Sequence, residues 1–177
     1  NNFSGAAYLF DLATGEELFK FAPTADYLPR FWGYSVALSG NRALVGTLDD
    51  AAYVFDATTG EELWKLTPTE PGTHFGAAVA ISGHLALVGE PAGGAAPGAA
   101  YLFDVTTGEQ LHKLVPNDPE NDLFGASVAI DGNLAIVGDF FDDDYGGTAG
   151  AAYLFDVRTG AQLAKLTASD AGPYAVF

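Results

Sequence analysis

The chain has 177 residues and a mass of 18.4 kDa, enough for one well-cored domain. Seven Lys and Arg face 23 Asp and Glu, a net charge of −16 that repels phosphate backbones and anionic lipid and so excludes nucleic-acid binding. The absence of Cys rules out disulfides, thiolate metal sites and Cys nucleophiles, and no apolar run approaches the roughly 18 residues of a membrane span.

Along the chain, Ala6-Ala-Tyr-Leu-Phe-Asp11 is the first apolar strand, followed by a Thr14-Gly15 turn and the alternating strip Glu16-Glu-Leu-Phe-Lys20. Next comes Trp32-Gly-Tyr-Ser-Val-Ala37, a Ser39-Gly40 hairpin signal and Ala43-Leu-Val-Gly46. The first pattern then returns as Ala51-Ala-Tyr-Val-Phe-Asp56, Ala99-Ala-Tyr-Leu-Phe-Asp104 and Ala151-Ala-Tyr-Leu-Phe-Asp156, at spacings of 45, 48 and 52 residues. The second returns as Phe75-Gly-Ala-Ala-Val-Ala80 with Leu85-Ala-Leu-Val-Gly89, and as Phe124-Gly-Ala-Ser-Val-Ala129 with Leu134-Ala-Ile-Val-Gly138.

Each unit therefore holds four short strands, A to D in chain order. Strands A, B and C are almost continuously apolar, which predicts burial of both faces, whereas D alternates as an outer strand does. Four-stranded antiparallel meanders repeating every forty to fifty residues predict an all-β fold, a β-propeller of about four blades. A half blade (C and D only) occupies 5–22, full blades occupy 31–66, 75–114 and 124–166, and 173–177 falls at the next strand A, all within one domain. That last strand completes the half blade of its own chain or of a neighbouring chain, or the whole is a fragment of a longer propeller. The second case gives head-to-tail assembly. A start at Asn1 with no Met anywhere reads as a mature product or an excised piece.

Phe124-Gly-Ala-Ser-Val-Ala-Ile130, Ala135-Ile-Val-Gly138, Asp142-Asp-Asp144 and Gly150-Ala-Ala-Tyr-Leu-Phe155 resemble the FG-GAP-type repeats of bacterial secreted and surface proteins, related to integrin α-subunit blades. The resemblance covers nearly the whole chain. It implies an extracellular or cell-surface setting. The lack of a catalytic constellation and the mid-blade ends predict a non-catalytic structural and binding module whose partners are itself, another extracellular protein or a glycan. The family's Asp-x-Asp-x-Asp-Gly calcium loop between strands A and B is replaced here by Ser39-Gly-Asn41, Ser82-Gly-His84 and Asp131-Gly-Asn133. Strands C and D are also similar to the quinoprotein (pyrroloquinoline quinone) repeat at Tyr53, Asp56, Thr59, Gly60 and Trp64. A fragment of such a dehydrogenase is thus an alternative, as is a calcium-dependent adhesion domain. Quinoproteins resemble longer rings with paired cysteines, so the match is taken as blade architecture.

Features present in every copy are read as scaffold: Asp11, Asp56, Asp104 and Asp156 as turn residues, and Lys20, Lys65, Lys113 and Lys165 as solvated pairs of small value. The copies differ in the B–C loops and D–A linkers, which a meander places on one side of the disc, where binding is expected. There the acids Asp139, Asp142, Asp143 and Asp144 are candidate Ca²⁺ ligands, since hard cations take clustered oxygens. The same residues equally describe a solvated acidic loop. His74, His84 and His112 occupy three different repeat positions without metal-ligand spacing, and His112 is expected to pack. Ser35 and Ser127 sit in strands and lack a nucleophile elbow. Asn2-Phe-Ser4 is an N-glycosylation sequon at Asn2.

Overall fold

The computed structural model describes residues 5–24, 30–48, 51–70, 73–91, 97–118, 123–142 and 149–169. All regular structure in it is strand. Unit 1 is a hairpin of β1 (Ala7–Phe10) and β2 (Glu17–Phe21). Unit 2 is a four-stranded sheet of β3 (Ser35–Ser39), β4 (Arg42–Gly46), β5 (Ala52–Asp56) and β6 (Glu62–Leu66). Unit 3 repeats it with β7 (Ala78–Ser82), β8 (Leu85–Glu90), β9 (Ala99–Asp104) and β10 (Gln110–Leu114). Unit 4 does so with β11 (Ser127–Asp131), β12 (Leu134–Asp139), β13 (Ala151–Asp156) and β14 (Gln162–Leu166). Every sheet is antiparallel and ordered as the chain runs. This is the all-β blade architecture that the repeats predict.

The turns follow from local chemistry. Gly40, Gly83 and Gly132 take φ of 55 to 58°, which the two-residue A–B hairpin requires and side chains oppose. In the C–D turn, Asp11 Oδ1 accepts from the N–H groups of Ala13 and Thr14, both at 2.8 Å. Asp56, Asp104 and Asp156 repeat this Asx geometry. Those N–H donors favour the ionised carboxylate, so Asp11 stays below the usual range; for Asp56 the Thr58 hydroxyl adds to the effect. The residue after Asp then ties the two turns together: Ala57, Val105 and Val157 donate N–H to Asn41, His84 and Asn133. A–B and C–D turns thus share one side, leaving B–C and D–A loops on the other.

The core lies between sheets. Leu44, Ala52, Val54 and Leu66 of unit 2 meet Phe75, Tyr101 and Phe103 of unit 3, and a second cluster joins units 3 and 4 in the same way. A third places Ala7 and Phe21 of unit 1 against Trp32, Tyr53 and Phe55 of unit 2. Within each full blade the aromatic that opens strand A sits edge-on to strand C: Trp32 on Tyr53 and Phe55, Phe75 on Tyr101 and Phe103, Phe124 on Tyr153 and Phe155. Edge-to-face pairs add about 0.5–1.5 kcal/mol each beyond burial.

One expectation is corrected. In units 2 and 3 strands B and C are buried on both faces, but strand A is not, and in β3 Val36 is 63% exposed. The reason is directional. Val79 and Ile81 of β7 face the preceding sheet, as do Val128 and Ile130 of β11. Val36 and Leu38 face unit 1, whose described strands include no inner pair to cover them. Residues 173–177, expected as a terminal strand, lie outside the described residues.

Candidate binding surface

The acidic B–C loop of unit 4 is only partly within the described residues. Asp143 and Asp144 lie outside them, as does Asn2. Asp139 and Asp142 are both buried. Asp139 Oδ1 accepts from the Phe141 N–H at 3.2 Å. Asp142 holds the loop base, its carbonyl accepting from Ala149 and Gly150 N–H. Its Oδ2 accepts from the Tyr153 hydroxyl at 2.6 Å and lies 2.7 Å from Lys165 Nζ. Among the described residues its Oδ1 has no hydrogen-bond partner, and no three His, Asp or Glu are grouped to hold a metal ion.

Lys165 also meets Asp118 at 2.8 Å, and its ammonium stands over the Tyr153 ring. For Lys165 this corrects the reading of the repeated lysines as solvated pairs. Lys20, Lys65 and Lys113 stand over Tyr8, Tyr53 and Tyr101 in the same manner. Lys113 pairs with Glu70 at 2.5 Å. Glu70 and Asp118 belong to the D–A linkers leaving the preceding sheets, so each pair bolts one blade to the next. Hydrogen bonding from Lys113 and its charge hold the Glu70 carboxyl below its ordinary range. Burial, with Glu90 accepting the hydroxyl's hydrogen bond, pushes Tyr101 up. The recurrence of Tyr, Lys and a linker acid was the available sequence signal.

A second bolt lies beside it. The N–H groups of Thr24, Thr69 and Asn117 donate across to the side chains of Glu62, Gln110 and Gln162 in the next unit. Ser35 Oγ donates to the Gly76 carbonyl at 2.7 Å, which gives this serine a blade-docking role. His112 packs as expected: a Cβ built on Gly160 of the next turn would lie 3.0 Å from its ring. Phe19 and Trp64 occupy the equivalent place against Gly60 and Gly108.

On the side carrying the B–C and D–A loops, a cleft of about 370 Å³ is lined by Tyr34, His74, Pro91, Leu123 and Phe140. His74 is held at φ 69°, a left-handed conformation uncommon for residues other than Gly. Phe140 and Phe141 stand with ring centroids 4.5 Å apart and remain substantially exposed. The cleft joins parts of all three full blades, and much of each surrounding loop lies outside the described residues.

The two ends of the array carry a different surface. Phe55, Phe103 and Phe155 are at most 1% exposed, whereas the equivalent Phe10 of β1 is 50% exposed and Tyr8 beside it 44%. At the other end, Leu66 and Leu114 are buried, but the equivalent Leu166 of β14 is 40% exposed. Backbone docking follows the same division. A Cβ on Gly46 or Gly89 would strike the carbonyl of Gly76 or Gly125 in the next blade at 2.2 and 2.1 Å. On Gly138 the three nearest atoms among the described residues all belong to Ser127 of its own blade. The interfaces between units 2 and 3 and between units 3 and 4 are thus closed, whereas the outward surfaces of units 1 and 4 carry the same residue types left exposed.

Comparisons with known proteins agree with this geometry. A search of curated proteins finds no match. Among solved structures, the crystal structure of the computationally designed Ika4 protein is similar, with a TM-score of 0.57 and 18% identity over 78% of this chain and 74% of that one. At that identity the likeness shows the fold alone. The FG-GAP repeat family matches residues 62–103 and 109–155, half of the chain, running from β6 through unit 3 to β13 of unit 4. The chain belongs to the FG-GAP repeat family.

Proposed function

We propose that the chain is a non-catalytic scaffold and binding module of an extracellular or cell-surface protein, joined head to tail with further copies of itself. The observation that carries the assembly is the pair of half-interfaces. Among the described residues no blade covers Tyr8 and Phe10 at one end or Leu166 and Gly138 at the other, whereas their counterparts are covered. Such ends are complementary and heterologous, so the contact propagates along an array. Burying one exposed Phe or Leu contributes about 1.5–3 kcal/mol, and several act together. The binding role rests on the aromatic-lined cleft among the loops that differ between repeats, which suits an extracellular protein loop or a glycan.

Static light scattering across a concentration series tests the assembly. The expected result is a mass rising in multiples of 18.4 kDa. A constant monomer mass up to high micromolar concentration overturns it. Repeating the series with Ca²⁺ and with chelator shows whether the acidic loop containing Asp139, Asp142, Asp143 and Asp144 contributes through a bound cation.

A further inference from the structure

The linkers between blades follow one register, and the C-terminal segment shares it. Counting from the last residue of strand D, the third residue donates its N–H to the next blade: Thr24, Thr69 and Asn117 after Phe21, Leu66 and Leu114. The fourth is the acid Glu70 or Asp118, which pairs with Lys113 or Lys165 on the next blade's strand D. Nine to eleven residues on comes the aromatic, Trp32, Phe75 or Phe124, that caps the strand-C Tyr and Phe of the next blade. After Leu166 the third residue is Ser169, the fourth Asp170 and the eleventh Phe177.

Unit 1 carries the matching receptors. Glu17 stands where Glu62, Gln110 and Gln162 stand, Lys20 where Lys113 and Lys165 stand, and Tyr8 with Phe10 where the capped aromatic pairs stand. Among the described residues Lys20 has no carboxylate partner, and no strand-A aromatic caps Tyr8 and Phe10. Donors and receptors therefore agree at three points in the right order.

We propose that residues 169–177 of one copy are the linker that docks on β1–β2 of a second copy. The Ser169 N–H bonds to Glu17, Asp170 pairs with Lys20, and Phe177 caps Tyr8 and Phe10. This rests on the head-to-tail reading above and names its contact. A second copy is the occupant because both half-interfaces stand open in one molecule: the Tyr8 and Phe10 surface of unit 1, and a space of about 360 Å³ on unit 4 beside Ser127, Gly138 and Ala152. Further along the join, Gly15 has nothing within 4 Å of a built Cβ, whereas Gly60, Gly108 and Gly160 each meet a side chain of the preceding blade. Ala164 is the residue in line to meet it.

The test uses light scattering on the full chain, a chain lacking 170–177, and the charge reversals Lys20→Glu and Asp170→Lys. The shortened chain is expected to keep its melting temperature and lose assembly. Each single reversal weakens association at least tenfold, and mixing the two reversed chains restores it, because every junction then pairs opposite charges. If the wild-type chain is a monomer throughout, the head-to-tail reading itself falls. If the wild-type assembles and the shortened chain assembles equally well, only this contact falls. If the double variant Lys20→Glu with Asp170→Lys recovers thermal stability as a monomer while the mixture of singles recovers nothing, the linker closes on its own chain and the proposal is overturned. Phe177→Leu guards against a fold effect: it keeps the tail and the charges, and weaker association at unchanged melting temperature supports the aromatic cap.

Discussion

Unit 3 and unit 1 contain nearly the same strand-C sequence, yet they live in different surroundings. In unit 3, Tyr101 and Phe103 are capped by Phe75, packed against unit 2 and bolted through Lys113 to Glu70. In unit 1, Tyr8 and Phe10 keep the same backbone pairing and the same lysine over the ring, but stand half exposed. Leu12 is fully exposed where Val105 is buried. A blade's local hydrogen bonding is thus its own property, while its burial belongs to its neighbours. That is the behaviour of a repeat array, whose stability is a sum of unit and nearest-neighbour interface contributions.

Three measurements would break or sharpen that contrast. The largest difference is expected between Phe103→Ala and Phe10→Ala. The first empties a fully buried site and is expected to cost about 3–5 kcal/mol in urea unfolding. The second removes a side chain already half in water and is expected to cost under about 1 kcal/mol in the dilute monomer. Equal losses would mean that unit 1 is covered in solution even without assembly.

Lys165→Ala and Lys20→Ala give the next contrast. Removing Lys165 leaves the buried Asp142 carboxylate and Asp118 without their shared cation, a change of about 3 kcal/mol or more. Lys20, with no carboxylate partner among the described residues, is expected to change the monomer by under about 0.5 kcal/mol. A small effect at Lys165 would show that the neighbouring loop neutralises Asp142 by other means.

The smallest contrast is one expected to vanish. The turn carboxylates Asp11, Asp56 and Asp104 are all held below the ordinary range, by backbone N–H bonds to Asp11 and by the Thr58 and Thr106 side-chain hydrogen bonds to the other two. Their folded values lie under the unfolded ones, so the stabilisation is complete above about pH 4 and is lost as pH falls through the lowered folded values. A carboxyl-resolved NMR titration is expected to show Asp11 at the end and Asp56 inside shifted in the same direction. An unshifted Asp11 would show that even the turn depends on its neighbours.

Much of this was legible in the residues. Ala-Ala-Tyr-x-Phe-Asp and Gly-x-x-Val-Ala recur at near-constant spacing, and strands of this length with Asx and Gly turns have one economical arrangement. Ser39-Gly40 and Asp56-x-x-Thr-Gly60 encode their own hydrogen bonds within a few positions, which is why the turns match. The lysine bolts are not legible locally, because their acids sit 43 and 47 residues away while Glu residues are the neighbours in sequence. The candidate ligand Asp142 was read as a loop acid, but a Tyr hydroxyl and a Lys ammonium from two other strands converge on it. No local pattern specifies that meeting.

The strands, their hairpins and the repeat that makes every blade alike are written in the residues, because those depend on hydrogen bonds and φ angles spanning a few residues. The tertiary structure alone decided which copies of the same Phe and Leu are buried and which are left at an open end. Burial depends on what the next sheet brings into contact, and identical strand sequences do not record it.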